Sequence, residues 1–415
     1  MTLPVRQPSP YGHFLWGTAI SGHQSEGNNL NSDIWLAEHV QPTVFSQPSR
    51  DACDSYHRYA EDISIVADLG LNCYRFGIEW SRIEPEPGQF SAAELDRYAR
   101  MIDLCVERGI APMLTYSHFT VPRWFAARGG FEVPDSADLF ARYAEVVTRR
   151  LGEHVVAATP FNEANIQRLM RTLLPNPAAR PVIDAMLAAC AKQCGSARFS
   201  SLLFAEVEKT EAHLVDAHRK ATQAIKAGPG NFPVGVSLTM QDIQGIGENN
   251  LAGAVIDSLY GPWLDEAANA DFIGVQTYTR VRVDAQGHVS PPADAEMTEA
   301  GYEYYPQALG STIRFAAKRT GKPVYVTESG IATSHDTRRV AFIDAALNEL
   351  QNCIADGIDV KSYIHWSLLD NFEWSSGYSQ HFGLVEVDPT TFRRTPKPSA
   401  HHLGAHARRS LEAAR

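Results

Sequence analysis

Short apolar runs, rich in β-branched and aromatic residues, alternate along the chain with longer segments whose apolar positions recur every three to four residues. The short runs predict strands at 14–21, 73–80, 111–117, 157–162, 233–239, 272–278, 323–328 and 360–367. Few polar residues interrupt them, as in strands buried on both faces. The longer segments predict helices at 54–69, 92–108, 136–151, 204–227, 306–320 and 338–356. Asp54 and Ser136 stand where N-caps belong, and a glycine follows each helix. Strands separated by helices imply parallel pairing through right-handed crossovers. Eight such units fit an α/β fold with a closed (β/α)8 TIM barrel, taken as one catalytic domain over residues 1–415. The rival, an open doubly wound sheet in its dinucleotide-binding form, lacks a G-x-G-x-x-G after the first strand. One stretch, 167–201, breaks the pattern and reads as an irregular insertion, a long loop with a short helix.

A closed barrel places chemistry at the C-terminal ends of its strands. Polar and aromatic residues collect there: Gln24 and Glu26, Arg75, His118, Asn162 and Glu163, Tyr278, Glu328, and Trp366 with Glu373. Glu163 and Glu328 end the fourth and seventh strands, three strands apart around the ring, so that their carboxyls face each other across the mouth. Glycosidic cleavage needs such a pair, one carboxyl protonated to assist departure and one ionised to attack; a gap of about 5–5.5 Å gives retention.

Composition narrows the partners. With 48 acidic against 37 basic residues the net charge is −11, which argues against nucleic acid or an anionic membrane as partner. No apolar stretch is long enough to span a bilayer, and residues 1–11, with three prolines, lack a signal-type apolar core. The six cysteines are scattered, which fits a reducing, cytoplasmic setting rather than a disulfide framework. No metal or cofactor is expected. Cys190 and Cys194 have no accompanying histidine, His213 and His218 are not at H-E-x-x-H spacing, and His401, His402 and His406 fall on a C-terminal helix where solvent exposure is expected. The oligomeric state stays open.

Five segments, FLWGTAISGHQSEG, YRFGIEWSRIEPEPGQF, TPFNEA, VTESGIA and HWSLLDNFEWSSGYSQHFGLVEVD, stand in that order at strand ends. With them the chain resembles glycoside hydrolase family 1, the β-glucosidase/β-galactosidase family, over nearly its whole length. The resemblance implies Glu328 as nucleophile, Glu163 as acid/base, and Arg75 with Tyr278 as supports of the nucleophile. It implies Asn162 on the sugar 2-hydroxyl, and Gln24, His118 and Glu373 on the other sugar hydroxyls. Trp366 resembles the stacking floor and Trp374 a second wall. Glu26 acquires no role. Glu373, and a following loop 375–381 without lysine or arginine, imply neutral rather than 6-phosphorylated glycosides. The chain departs from the family pattern at Ala164, Ser329, Phe119-Thr120 and Gln276-Thr277, near the sugar and aglycone rather than at the carboxylates. The expected activity is retaining hydrolysis of neutral β-glycosides, β-glucosides foremost. A transglycosylase would use the same residues and differ only in acceptor. A non-catalytic sugar-binding protein would be expected to lack one of the two carboxylates, and both are present.

Overall fold

The computed structural model describes residues 14–413, so the proline-bearing stretch 1–11 lies outside the described residues. Eight parallel strands form its centre: β1 (Leu15–Ile20), β2 (Cys73–Gly77), β3 (Ala111–Ser117), β4 (Ala157–Phe161), β5 (Val236–Thr239), β6 (Ile273–Thr277), β7 (Val324–Ser329) and β8 (Val360–Trp366). Seven neighbour pairings follow chain order except that β8 returns to β1, which gives one continuous sheet from β4 round to β5. A parallel bridge from Ala158 to Val234 joins these last two strands, with Ala158 N donating to Pro233 O (3.0 Å) and Gly235 N to Ala158 O (3.0 Å). The ring is the (β/α)8 barrel, not the open sheet. β5 starts later than its apolar run: Pro233 has no N–H, and the Val234 N–H goes to the Asp271 carboxylate (2.9 Å) rather than to a neighbouring strand.

Side-chain alternation sorts each strand between two cores. Leu15, Ala19, Cys73, Ala111, Met113, Ala157 and Ile364 fill the barrel interior, whereas Tyr74, Phe76, Leu114, Tyr116 and Ala158 pack outward under the helices. On β7 the same period would turn Thr327 inward, and its Oγ1 does meet Ser237 Oγ of β5 (2.8 Å). Glu328 is then out of phase. The register of β7 slips between Val326 and Glu328 against β6, and again against β8. Such a bulge re-aims a side chain at a barrel rim, and here it accompanies the carboxylate.

The helices bury one stripe each. In Ala92–Glu107 the buried set includes Leu95, Tyr98, Ala99, Ile102 and Cys105, spaced by threes and fours; burying one such large apolar side chain is worth about 1.5–3 kcal/mol. Ser91 Oγ caps it by accepting from Glu94 N (3.3 Å), and Gly109 leaves it at φ +69°, a conformation costly to other residues. Two expected caps differ. Asp54 precedes its helix but at φ +53°, its carboxylate turned to His57 (2.6 Å) and Arg58 (3.3 Å) rather than to backbone. Ser136 is the first helical residue, with Asp135 before it.

The stretch 167–201, expected to be mostly loop, carries two helices, Ile166–Thr172 and Arg180–Gln193. A side sheet pairs Asp242–Gly245, Arg280–Asp284 and Gly287–Val289. Pro398–Ala413 closes the described chain as a helix. None of the six cysteines is paired. Among the described residues no helix is long and apolar enough to cross a membrane.

Candidate active site

At the C-terminal rim of the strands a cavity of about 330 Å³ opens. Gln24, His118, Asn162, Glu163, Tyr278, Glu328, Trp366, Glu373 and Trp374 all line it, and Arg75 lies buried beneath, hydrogen-bonded to two of them. The ten residues given a role in the sequence analysis therefore meet in one place, Arg75, Glu328 and Trp366 from β2, β7 and β8 and the others from the loops that follow strands.

Glu328 is gripped from two sides. Arg75 Nη1 donates to its Oε1 (2.5 Å) and the Tyr278 hydroxyl to its Oε2 (2.6 Å). Arg75 also donates through Nη2 to Asn162 Oδ1 (2.5 Å), which accepts a second bond from Gln276 Nε2 (2.8 Å). Both protein bonds thus arrive at the carbonyl oxygen of Asn162, which turns its NH2 the other way, as a donor for something else.

The two carboxyls differ in their protonation. Burial raises Glu163, and the negative charge of Glu328 raises it further; a bond with Thr239 and the more distant Arg75 charge oppose this. Burial also raises Glu328. Arg75 and Tyr278 pull Glu328 back, though, and Glu163 has no such grip. The pair therefore keeps its proton on Glu163 first. Tyr278 itself is pushed well up by burial and the nearby carboxylates, so its phenol keeps the proton it donates.

Around the rest of the cavity, burial and then the Arg75 charge hold His118 well below its usual range, a neutral ring stacked on Trp366 (5.4 Å between centroids, 22°). Burial raises Glu373 well above the usual carboxylate range, and Glu328 adds to this while bonds from Trp366 and Gln24 oppose it. Gln24 also donates to Phe372 O (2.8 Å). Phe119, Glu163 and Trp374 take positive φ (72°, 41° and 49°) although none is glycine. Each such residue stores about 1–3 kcal/mol, held by the surrounding structure.

Several contributors were given no role from sequence. Thr239 and Gln276 act on Glu163 and Asn162 only through the closed barrel. His23 stacks behind Trp374 (5.7 Å, 7°) and forms a fully buried pair with Glu38 (2.8 Å). Tyr302 lines the cavity with its hydroxyl buried and unpartnered by protein. Ile166, Leu169 and Met170 line it too, and their spacing just after Glu163 was a readable helical stripe. Glu26 is not at the cavity. It accepts from Arg82 (2.8 Å), Arg97 (3.1 Å) and Tyr98 (2.9 Å), a structural cluster.

Cys190 is buried, and His213 Nδ1 bonds Phe131 O (2.9 Å). His218 is buried and pushed down to about 4 by desolvation. His402 and His406, expected to face solvent, are partly buried and pair with Asp344 (2.6 and 3.2 Å) on the outer helices. Among the described residues these three are the group whose ligand atoms lie close enough together, within 4.8 Å, for a metal ion. None of them lines the cavity.

Comparison with known proteins gives one consistent answer. A sequence model of glycosyl hydrolase family 1 matches residues 7–178 and 265–410. The chain is 30% identical to beta-glucosidase A of Thermotoga maritima, over 94% of this chain and 95% of that one. It is also 30% identical to the thermostable beta-glucosidase B of Thermobispora bispora, over 93% and 88%. Among solved structures, the apo structure of a beta-glucosidase 1317 superposes with a TM-score of 0.93 at 44% identity, covering 97% of this chain and all (100%) of that one.

Proposed function

The chain belongs to glycosyl hydrolase family 1, the enzymes that hydrolyse O-glycosyl bonds, and from that premise we propose a retaining β-glycosidase acting on neutral β-glycosides, β-glucosides foremost. The observation that carries the proposal is the asymmetry of the two carboxyls. One is clamped by a cation and a phenol; the other lines the same cavity without that clamp, its carboxyl raised by burial and by the charge of the first.

The chemistry follows from that asymmetry. Glu163 gives its proton to the glycosidic oxygen while the Glu328 carboxylate attacks the anomeric carbon; the C–O bond to the aglycone breaks and the aglycone leaves as an alcohol. Esterification removes the Glu328 charge, and with it one of the two causes that raise Glu163. Glu163 then stays ionised and takes a proton from water, whose oxygen displaces Glu328 from the sugar. Tyr278 and Arg75 hold the leaving carboxylate. The NH2 of Asn162 is placed to donate to the 2-hydroxyl, a contact that strengthens in the transition state. Gln24, His118 and Glu373 are assigned to the remaining hydroxyls, Trp366 to the sugar face and Trp374 to the wall beside it.

Burial modifies the argument against phosphorylated sugars. Glu373 is raised, so its charge alone does not repel a phosphate. The stronger ground is that among the described residues no lysine or arginine lines the cavity, and a buried dianion without a cation is heavily penalised.

Labelling is the decisive test. A 2-deoxy-2-fluoro-β-glucoside with a dinitrophenyl leaving group should inactivate the enzyme and add one fluoroglucosyl unit to the peptide carrying Glu328. A label on another residue, or none with full activity retained, rejects the double-displacement assignment.

A further inference from the structure

Resting on the glycosidase reading, we propose that the leaving-group side of the cavity is built for an apolar aglycone, an alkyl or aryl chain, and selects against a second sugar. The aglycone departs past Glu163, and the helix Ile166–Thr172 starts three residues beyond it. Ile166, Leu169 and Met170, one face of that helix, border the cavity, with Leu203 and Phe204 among the side chains facing them. Phe45 meets Phe204 edge to face at 5.9 Å.

The polar side chains of the same helix are engaged elsewhere. Gln167 donates to Leu202 O (2.9 Å) and accepts from Thr210 (2.7 Å); Arg168 donates to Glu211 Oε2 (2.6 Å) and Ser258 O (2.8 Å); Arg171 pairs with Glu208. Polar atoms on this side come from Tyr302, Ser375 and Gln380, and the Gln380 amide already bonds Ser376 Oγ (3.1 Å). A sugar aglycone would press most of its hydroxyls against Ile166, Leu169, Met170, Leu203 and Phe204, which offer no hydrogen bonds, and each hydroxyl left without a partner is a desolvation cost. An alkyl chain would cover the same wall over the helix length of roughly 10 Å. Leu203 and Phe204 fall outside the segments matched by the family model, whereas Ile166, Leu169 and Met170 fall within them.

The test compares kcat/KM for methyl, butyl and octyl β-glucosides and cellobiose, below micelle-forming concentrations, after hydrolysis of 4-nitrophenyl β-glucoside has been established. Each methylene fully buried on the wall should raise kcat/KM by about fourfold, so burial of three of them should make octyl exceed methyl by roughly 60-fold. Cellobiose should fall below butyl. The double substitution Leu169→Gln, Met170→Gln should cut the octyl-to-methyl ratio by about tenfold, and Leu203→Ser, on the facing wall, should cut it in the same direction should the first variant fold poorly. A flat alkyl series, or cellobiose above octyl glucoside, overturns the proposal while 4-nitrophenyl glucoside hydrolysis preserves the glycosidase reading. Absence of all glycoside hydrolysis rejects both.

Discussion

The two halves of the cavity are built on opposite principles. Around Glu328 nearly every polar side chain is tied to another: Arg75 to Glu328 and Asn162, Asn162 to Gln276, Tyr278 to Glu328. Beyond Glu163 the wall is Ile166, Leu169, Met170, Leu203 and Phe204, held by packing alone. A hydrogen-bonded cluster fails when one member is removed, because its buried partners lose their bonds. A packed wall loses only area and can be repacked. Substitutions should therefore have steep effects on the first half and shallow ones on the second, and the ranking of those effects tests the division.

The steepest loss is expected at Glu328. Glu328→Ala should lower kcat on 4-nitrophenyl β-glucoside by about 10⁴-fold or more while the circular dichroism spectrum is unchanged, since the proposed mechanism then has no attacking group. Added azide should restore turnover, and nuclear magnetic resonance should identify an α-glucosyl azide, the inverted product. A β-azide from this variant would place the nucleophile elsewhere.

Glu163→Ala comes next, and its loss should depend on the leaving group. Alkyl glucosides should lose about 10²–10⁴-fold, the usual share of general acid catalysis. Dinitrophenyl glucoside, which needs no proton, should instead accumulate as a glycosyl-enzyme visible as a burst, relieved by azide with retained configuration. Equal losses on both substrates would remove Glu163 from the acid role.

How far the sequence foretold these two halves differs for a physical reason. Barrel strands are buried on both faces, so their apolar runs are legible without tertiary knowledge, and Glu163 and Glu328 stand out as carboxyls at the ends of such runs. Glu328 is aimed by a slip in β7 that no local pattern announces. Thr239 and Gln276 become partners of Glu163 and Asn162 only once the ring closes. The short helix expected in 167–201 has no position in that reading, and the structure has two, Ile166–Thr172 and Arg180–Gln193, because the stretch lacks a sustained pattern although the apolar spacing of the first was present. The side-sheet strand Arg280–Asp284 likewise alternates, with Val281 and Val283 buried, but is too short to stand out from a loop.

A smaller effect is expected for 4-nitrophenyl β-glucoside 6-phosphate, which should be hydrolysed at least about 100-fold less efficiently than the neutral glucoside, the result of desolvating a dianion without a cation. Comparing kcat/KM for the two substrates settles it; near-equal values would require a cation that reaches the cavity.

The mildest test within the tied half probes the clamp without removing a carboxyl. Tyr278→Phe deletes one charge-assisted bond, worth about 1.5–3 kcal/mol, and should lower kcat/KM by about 10- to 100-fold. The pH profile carries the sharper information. Glu328 must be ionised to attack, so its titration sets the acidic limb, and Glu163 must be protonated to donate, so its titration sets the basic limb. The Tyr278 hydroxyl pulls Glu328 down; without it Glu328 titrates higher, and the acidic limb moves to higher pH. The basic limb follows from the shared proton. A Glu328 that ionises less readily repels charge on Glu163 less at a given pH, so that limb should stay in place or fall slightly. The bell narrows from the acidic side. A packed-wall substitution such as Leu203→Ser touches neither titration and should scale the profile without shifting either limb. A parallel shift of both limbs in Tyr278→Phe would mean that the phenol supports the whole cavity rather than Glu328, and the division between tied and packed halves would fail at its centre.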